Sequence, residues 1–207
     1  MSPGGGIAAL ILAAGYSSRL GAWKPLLPVG RSTFIGETVR RFRAAGVEDI
    51  RVVTGHRAEE LAPVLRKLDV REVFNPDYDQ GMFASVRAGV RSLEPGITGF
   101  FLLPVDIPLV KPLTIKALLR TYHSSGALII YPRFAGRRGH PPLISTALVC
   151  NLPPNCDGGL RAFLGRYGAA ALDLEVMDEA ILLDCDTPED LRRLQAYAFG
   201  LEELPDD

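Results

Sequence analysis

The sequence predicts an α/β fold, a three-layer α/β/α arrangement around a mostly parallel sheet, and three observations carry that expectation. Short apolar runs alternate with amphipathic stretches from residue 7 to residue 132. Several of the runs are apolar throughout rather than at every second position, which fits strands covered on both faces. No proline- or glycine-rich linker divides the chain. A helix between successive strands returns the chain to the same edge, so the strands run parallel and the crossovers are right-handed.

Taken in order, strands are expected at "IAALILA" (7–13), "DIRVVTG" (49–55), "REVFN" (71–75), "GFFLLPV" (99–105) and "ALIIYP" (127–132). Helical patterns fall at 34–45, 57–68, 82–93 and 112–124. In the last of these, Leu113, Ala117, Leu118 and Tyr122 share one face. Beyond residue 133 the pattern loosens, and "GRRGHPPLIS" and "PPNCDGGLRAFL" read as loops feeding short elements. The segment "AILLDCDTPEDLRRLQAYA" reads as a strand, a turn and a helix. Thr187 suits the N-cap of that helix, Pro188 its first position, and Asp190 a capping-box spacing. The whole reads as one domain over 1–207 with an elaborated C-terminal third.

Composition sets the outer limits. A chain of 207 residues buries roughly 70–75% of its unfolded surface, enough for a fully covered sheet. Its 47% hydrophobic and 23% charged content is globular. A net charge of −1 gives no general attraction to nucleic acid. Basic residues cluster locally in "RRFR" and "GRRGH", and the helical cluster reads as a solvated face. No apolar run reaches the ~18 residues of a membrane span, and "MSPGGG" lacks the pattern of a signal peptide. Cys150, Cys156 and Cys185 are sparse, odd in number and free of any CxxC, which points to a reducing, cytoplasmic compartment without a disulfide framework.

The stretch "LAAGYSSRLGAWKP" (12–25) follows the first strand directly. In an open parallel sheet, ligands bind beyond the carboxyl ends of the strands, so this loop is placed to meet one. It is not a Walker A loop: the next glycine lies six residues after Gly15, and Lys24 comes three residues later. It is not a dinucleotide fingerprint either, because the GxG formed by Gly4 and Gly6 precedes the strand. Small residues at Ala13, Ala14 and Gly15 let a base or ribose approach the backbone, whose N–H groups can form an anion nest. Arg19 offers a planar fork for phosphate, and Lys24 a mobile point charge.

Four further segments bear on chemistry. In "NPDYDQGMFASVRAGV" (75–90), Gly81 marks a loop-to-helix turn and Ser85 presents a hydroxyl for a base or ribose, while Met82 reads as a core side chain. In "LLPVDIPLV" (102–110), Asp106 directly follows an apolar strand, where an unpartnered carboxylate would be expensive; facing the ligand crevice, it suits Mg²⁺, which takes one or two carboxylates plus substrate phosphates. In "LLDCDTPED" (182–190), Asp184 and Asp186 lie two apart and point to the same side of an extended segment, so either could supply a second carboxylate. "GRRGHPPLIS" (136–145) and "NCDGGLRAFL" (155–164) add a Gly-His-Pro and an Asp-Gly. His56 and His123 stand in no comparable context.

The opening loop resembles the "LAAGxSxRxGxxKP" signature of the nucleotidyltransferase superfamily with a Rossmann-like, glycosyltransferase-A-like fold, and the partner motifs occur in the expected order across residues 8–190. The resemblance implies that Leu12, Ala13, Ala14, Gly15, Arg19, Lys24, Gly81 and Ser85 bind a nucleoside triphosphate. Arg19 would grip the β- and γ-phosphates, Lys24 would stabilise charge on the α-phosphate, and Asp106 with Asp186 would hold Mg²⁺, Mn²⁺ being the alternative. Arg19, Lys24 and Asp106 are the catalytic candidates.

Gly139, His140 and Pro141 resemble the "RGHP" segment of the molybdenum cofactor cytidylyltransferase branch, and Asp157-Gly158 its "GDxG" motif, although Cys156 stands where the first glycine is expected. These five residues are therefore the acceptor-binding candidates, for a phosphate-bearing pterin. "LAAG" rather than "LAGG" points to CTP over GTP through the methyl group of Ala14. The expected division is a nucleotide-binding part at about 7–132, an acceptor-binding part at about 133–180, and a C-terminal strand and helix at 181–200. The implied partners are CTP, molybdopterin and a recipient molybdoenzyme. Other readings share the same phosphate machinery: transfer to a sugar phosphate or other small phosphate acceptor, guanylyl transfer to molybdenum cofactor, and a non-catalytic module that binds and delivers the cofactor.

Overall fold

The computed structural model describes residues 6–16, 20–149, 152–153 and 156–202. At its centre lies β1 (Gly6–Leu12). Alternation sends Ala9 and Ile11 to one face and Ala8, Leu10 and Leu12 to the other, all 8% exposed or less, so the strand is apolar at every position because both faces are covered.

The chain continues through a short antiparallel hairpin, β2 (Pro28–Val29) and β3 (Ser32–Thr33), into α1 (Phe34–Ala44), whose N-cap Thr33 accepts a hydrogen bond from the Gly36 N–H. Next come β4 (Asp49–Thr54), α2 (Ala58–Lys67), β5 (Arg71–Phe74), α3 (Met82–Arg91) and β6 (Ile97–Pro104). α4 (Pro112–Ser125) ends at Gly126, whose φ of 65° supplies the left-handed stop. Shorter elements follow: β7 (Ile129–Phe134), β8 (Arg137–Arg138), β9 (Leu143–Ser145), α5 (Thr146–Val149), α6 (Gly159–Gly165) and β10 (Ala171–Glu175). The last helix is α7 (Pro188–Glu202).

The main sheet runs β10-β7-β9-β6-β1-β4-β5, with β8 paired to β7. β5, β4, β1 and β6 are mutually parallel. β9 is antiparallel to both β6 and β7, and β10 runs parallel to β7. The apolar faces of α1, α2, α4 and α7 cover one side, and those of α3, α5 and α6 the other, giving the expected three layers. The chain builds outward from β1 through β4 to β5, then crosses to the other side of β1 as β6. That reversal is a topological switch point, and the crevice beyond the carboxyl ends of β1 and β6 is where such sheets bind ligands.

The expected strands and helices up to residue 134 match within two residues at each end. Three readings need correction. The "AILL" run is not a strand: Glu179–Leu182 forms a 3₁₀ turn, started by the Asp178 carboxylate, which accepts from the Ala180 N–H at 3.2 Å and from the Lys111 N–H at 2.8 Å. Tied to the start of α4, the run is buried by packing rather than by pairing. Its place in the sheet goes to β10, whose half-buried "ALDLE" has the weak pattern of an edge strand. In α4, Leu113 is 64% exposed, and the buried face is Thr114, Ile115 and Leu118, with Tyr122 beside it. The "RRFR" cluster is not simply solvated: Arg41 is buried against Glu37, and Arg43 donates to the Leu68 and Asp69 carbonyls at the end of α2.

Candidate active site

The site grows out of the ends of β1 and β6. Parallel pairing continues one step past the strands: Val105 N–H donates to the Leu12 carbonyl at 3.0 Å, and Ala13 N–H to that of Val53 at 2.9 Å. Ala13 and Ala14 are 2% and 4% exposed. The Ala14 carbonyl accepts from the His56 N–H at 3.2 Å, which fixes the start of the loop against the end of β4. A methyl group on Gly15 would meet nothing within 4 Å, so the backbone there borders open space. Ser17, Ser18 and Arg19 lie outside the described residues, and the assignment of Arg19 rests on the sequence alone.

Lys24 opens a 3₁₀ turn, Lys24–Leu26, closed by Leu27 N–H to the Lys24 carbonyl at 3.0 Å. Its ammonium donates to Asp106 Oδ2 at 3.2 Å and to Asp186 Oδ1 at 2.6 Å. The two carboxylates come from segments 80 residues apart in sequence and are brought together by the backbone. Cys185 N–H donates to the Asp106 carbonyl at 3.1 Å, and the Asp190 carboxylate accepts from the Asp186 and Thr187 N–H groups at 3.2 and 2.8 Å. Asp190 N–H in turn donates to Thr187 Oγ1 at 3.2 Å, which completes the expected capping box on α7. The turn after β6 is closed by Ile107 N–H to the Pro104 carbonyl, so it does not consume the Asp106 side chain.

Burial pushes the Asp106 carboxyl above its ordinary value, and the Lys24 charge draws it only partly back. Burial alone would lower Lys24, but the hydrogen bond to Asp186 and the charge of Asp106 outweigh it and hold the ammonium above its usual range. The three groups thus form a partly buried triad carrying one positive and two negative charges. The donor set fits a magnesium- or manganese-type ion, because both carboxylates already converge on one cation and such ions complete their shell with substrate phosphates and water. No cluster of three or more His, Cys, Asp or Glu side chains, the kind that forms an all-protein cage, occurs among the described residues.

Next to the triad opens a cavity of about 260 Å³ lined by Asp106, Asp184, Arg138, His140, Met82 and Ile107, among others. Asp184 is exposed and borders this space, whereas Asp186 reaches Lys24. Gly139 is required by close approach: a Cβ there would run into the Ile181 carbonyl. That same carbonyl accepts from the His140 N–H at 2.9 Å, and Gly139 N–H donates to Pro132 at 2.9 Å. Pro141 is buried behind His140. Burial lowers the His140 pKa below its usual 6.5, and its Nδ1 is buried with no hydrogen-bond partner among the described residues. Asp157 and Gly158 form an exposed turn at the start of α6, and neither lines the cavity.

On the third side, Gly81 has φ 97° and turns the chain into α3, as the sequence suggested. Met82 is not a core residue but 63% exposed, lining the cavity at the first turn of α3. Ser85 is 4% exposed, and its Oγ accepts from Asn75 Nδ2 at 3.1 Å.

Sequence reasoning missed several residues here. Arg138 lines the cavity with its Nε donating to Asp173 at 2.6 Å and its guanidinium 4.4 Å over the Tyr131 ring. The "RGHP" spacing contained this arginine, but its two holders sit on β7 and on the unexpected β10. Tyr16, His56 and Tyr78 form an aromatic group beside the loop, with Tyr16 4.6 Å from His56 and 5.7 Å from Tyr78. Nothing in the spacing of those three residues signalled their contact. Neither Cys156 nor Cys185 is in a disulfide, burial raises Cys185 to about 11, and Cys150 lies outside the described residues.

A family model described as the MobA-like NTP transferase domain matches residues 9–172. The chain belongs to this family. As a MobA-like transferase it is a nucleotidyltransferase, and its sheet is that of the glycosyltransferase-A-like fold. The molybdenum cofactor cytidylyltransferase of Escherichia coli (strain K12) is 31% identical over 185 residues, 87% of this chain and 91% of that protein. The phosphoenolpyruvate guanylyltransferase of Rubrobacter xylanophilus is 33% identical over 92% of each. A Mycobacterium tuberculosis H37Rv protein solved in complex with manganese superposes with a TM-score of 0.71 at 27% identity, covering 93% of this chain and 99% of that one. No helix among the described residues is long and apolar enough to cross a membrane.

Proposed function

We propose that the protein transfers cytidine monophosphate from CTP to the terminal phosphate of molybdopterin or its molybdenum-bearing form, with release of pyrophosphate. The observation that carries this reading is the convergence of Lys24, Asp106 and Asp186 at the switch point, with the His140 cavity opening directly beside them. An acceptor phosphate oxygen attacks the α-phosphorus in line. A new P–O bond forms as the bond to the β-phosphate oxygen breaks, and pyrophosphate leaves with that electron pair. The acceptor is already ionised at neutral pH, so no general base is required, which agrees with a His140 held neutral by burial.

Catalysis here is positioning plus charge stabilisation. Ala13, Ala14, Gly15, Gly81 and Ser85 enclose the nucleoside, Arg19 grips the β- and γ-phosphates, and Lys24 offsets charge developing at the α-phosphate. Asp106 and Asp186 would hold Mg²⁺, which when bound supplies Lewis-acid neutralisation of the phosphates. Arg138 and His140 flank the acceptor, and the guanidinium has donors beyond the one given to Asp173. In this division residues 7–132 serve the nucleotide and 133–180 the acceptor, within one domain. A cytoplasmic site of action suits the sparse cysteines, of which the two described, Cys156 and Cys185, are in no disulfide, and a molybdoenzyme would receive the product.

CTP is supported by the Ala14 methyl group at the base side of the loop and by the cytidylyltransferase relative. The guanylyltransferase relative, of similar identity and coverage, favours a second reading: guanylyl transfer to another small phosphate acceptor. The two separate in a pyrophosphate-release assay with CTP, GTP, ATP and UTP, each tested with molybdopterin, phosphoenolpyruvate and a sugar phosphate. Release with CTP and molybdopterin is the expected result; release only with GTP, or only with another acceptor, reverses the order.

A further inference from the structure

Lys24 stands between the two carboxylates that the proposed function gives to the metal. Its Nζ is 3.2 Å from Asp106 and 2.6 Å from Asp186, and the three side chains are 9%, 23% and 37% exposed. The triad sums to one negative charge. A bare divalent ion entering it would compete with the ammonium for the same two carboxylates. It would also place two positive charges beside a third in a partly buried setting, where screening is weak. Withdrawing Lys24 from both carboxylates would give up two charged hydrogen bonds of a side chain only 9% exposed, which is costly. A triphosphate removes both penalties at once, because it brings the anions that the ammonium needs. The backbone of Lys24 is fixed by the 3₁₀ turn and Pro25, so the exchange falls to the flexible four-carbon side chain.

We infer that Lys24 is an exchangeable resident cation: it holds Asp106 and Asp186 together in the free protein, excludes bare divalent metal, and moves to the phosphates when metal and nucleoside triphosphate arrive together. The inference rests on the proposed function for the identity of the incoming ligand. It makes nucleotide-bound metal, rather than metal alone, the species that the protein accepts, and it gives Lys24 a task before any chemistry begins.

The test uses Mn²⁺ as probe and reads its free signal by electron paramagnetic resonance, with the intact protein and no nucleotide. Lys24→Met removes the ammonium at nearly constant length and should bind Mn²⁺ alone about tenfold or more tightly than the unsubstituted protein. Lys24→Arg, which keeps the cation, should stay as weak as the unsubstituted protein. Adding Asp106→Asn to Lys24→Met should abolish the gain. If the methionine variant does not fold, Lys24→Gln takes its place, and protection of either variant against thermal unfolding by Mn²⁺ gives an independent reading. Equal Mn²⁺ affinity in the unsubstituted and Lys24→Met proteins, whether both tight or both weak, overturns the inference. Failure of the proposed function shows elsewhere, as absence of pyrophosphate release with every triphosphate, and leaves the nucleotide-free Mn²⁺ result unaffected.

Discussion

At the carboxyl ends of β1 and β6, part of the candidate site follows a strand directly: Ala13 and Ala14 come straight after Leu12, and Asp106 two residues after Pro104. Across the cavity the arrangement is different. Arg138, Gly139 and His140 sit in a segment held by a carbonyl from the 3₁₀ turn Glu179–Leu182 and by an aspartate from β10. The first wall is a product of parallel strand geometry, which aims any residue at a strand's carboxyl end toward the crevice. The second is assembled from three stretches that have no local reason to meet. In the proposed function, phosphate chemistry belongs to the first wall and acceptor choice to the second, a division by which one fold could keep its reaction while changing its acceptor.

The largest expected effect breaks the first wall. Asp106→Asn keeps the shape of the side chain but removes its charge, and should lower turnover by about 10³-fold, the scale of losing several kcal/mol of phosphate-charge stabilisation. Pyrophosphate release under saturating nucleotide and metal measures it, and turnover near that of the unsubstituted protein would remove Asp106 from the site. A smaller effect marks the second wall. Arg138→Ala should raise the KM for the acceptor roughly 10–100-fold, the scale of a hydrogen bond to a charged group, with the nucleotide KM unchanged. A change confined to the nucleotide KM would put Arg138 on the wrong wall.

The smallest effect concerns stability. His140 is half-buried, and desolvation holds its pKa below the ordinary 6.5. Between that lowered value and 6.5 the unfolded chain binds a proton that the folded one refuses. His140 therefore costs no stability above pH 6.5 and lowers stability as the pH falls through this window. Melting temperature should drop on acidification below pH 6.5, and the drop should be shallower in His140→Asn. Parallel curves for the two proteins would show that His140 titrates normally.

How much of this was legible in the sequence follows the same division. The strands β1 and β6 were readable because apolar side chains covered on both faces leave a long apolar run. Asp106 was readable because a carboxylate after such a run needs a reason. The capping box at Thr187 and Asp190 was readable because its hydrogen bonds span three residues. The run "AILL" misled because a short apolar stretch looks alike whether it is buried by pairing or by packing. Asp178, which decided the outcome, acts through Lys111 and Thr114, more than 60 residues away. Met82 misled for a related reason: its position on a helix was right, but only the tertiary structure showed that it lines the cavity rather than the core.

The sequence by itself determined the alternation of strands and helices, the glycine- and alanine-rich loop after β1, and the charged residues that the proposed function offers to a triphosphate. Each depends on neighbours within a few residues and so is written locally. Only the tertiary structure decided that Lys24 lies between Asp106 and Asp186, that Arg138 is held by Asp173 over Tyr131, and that Gly139 must be bare against Ile181. These are contacts between segments tens of residues apart. Burial and charge fix them only once the sheet has set the distances.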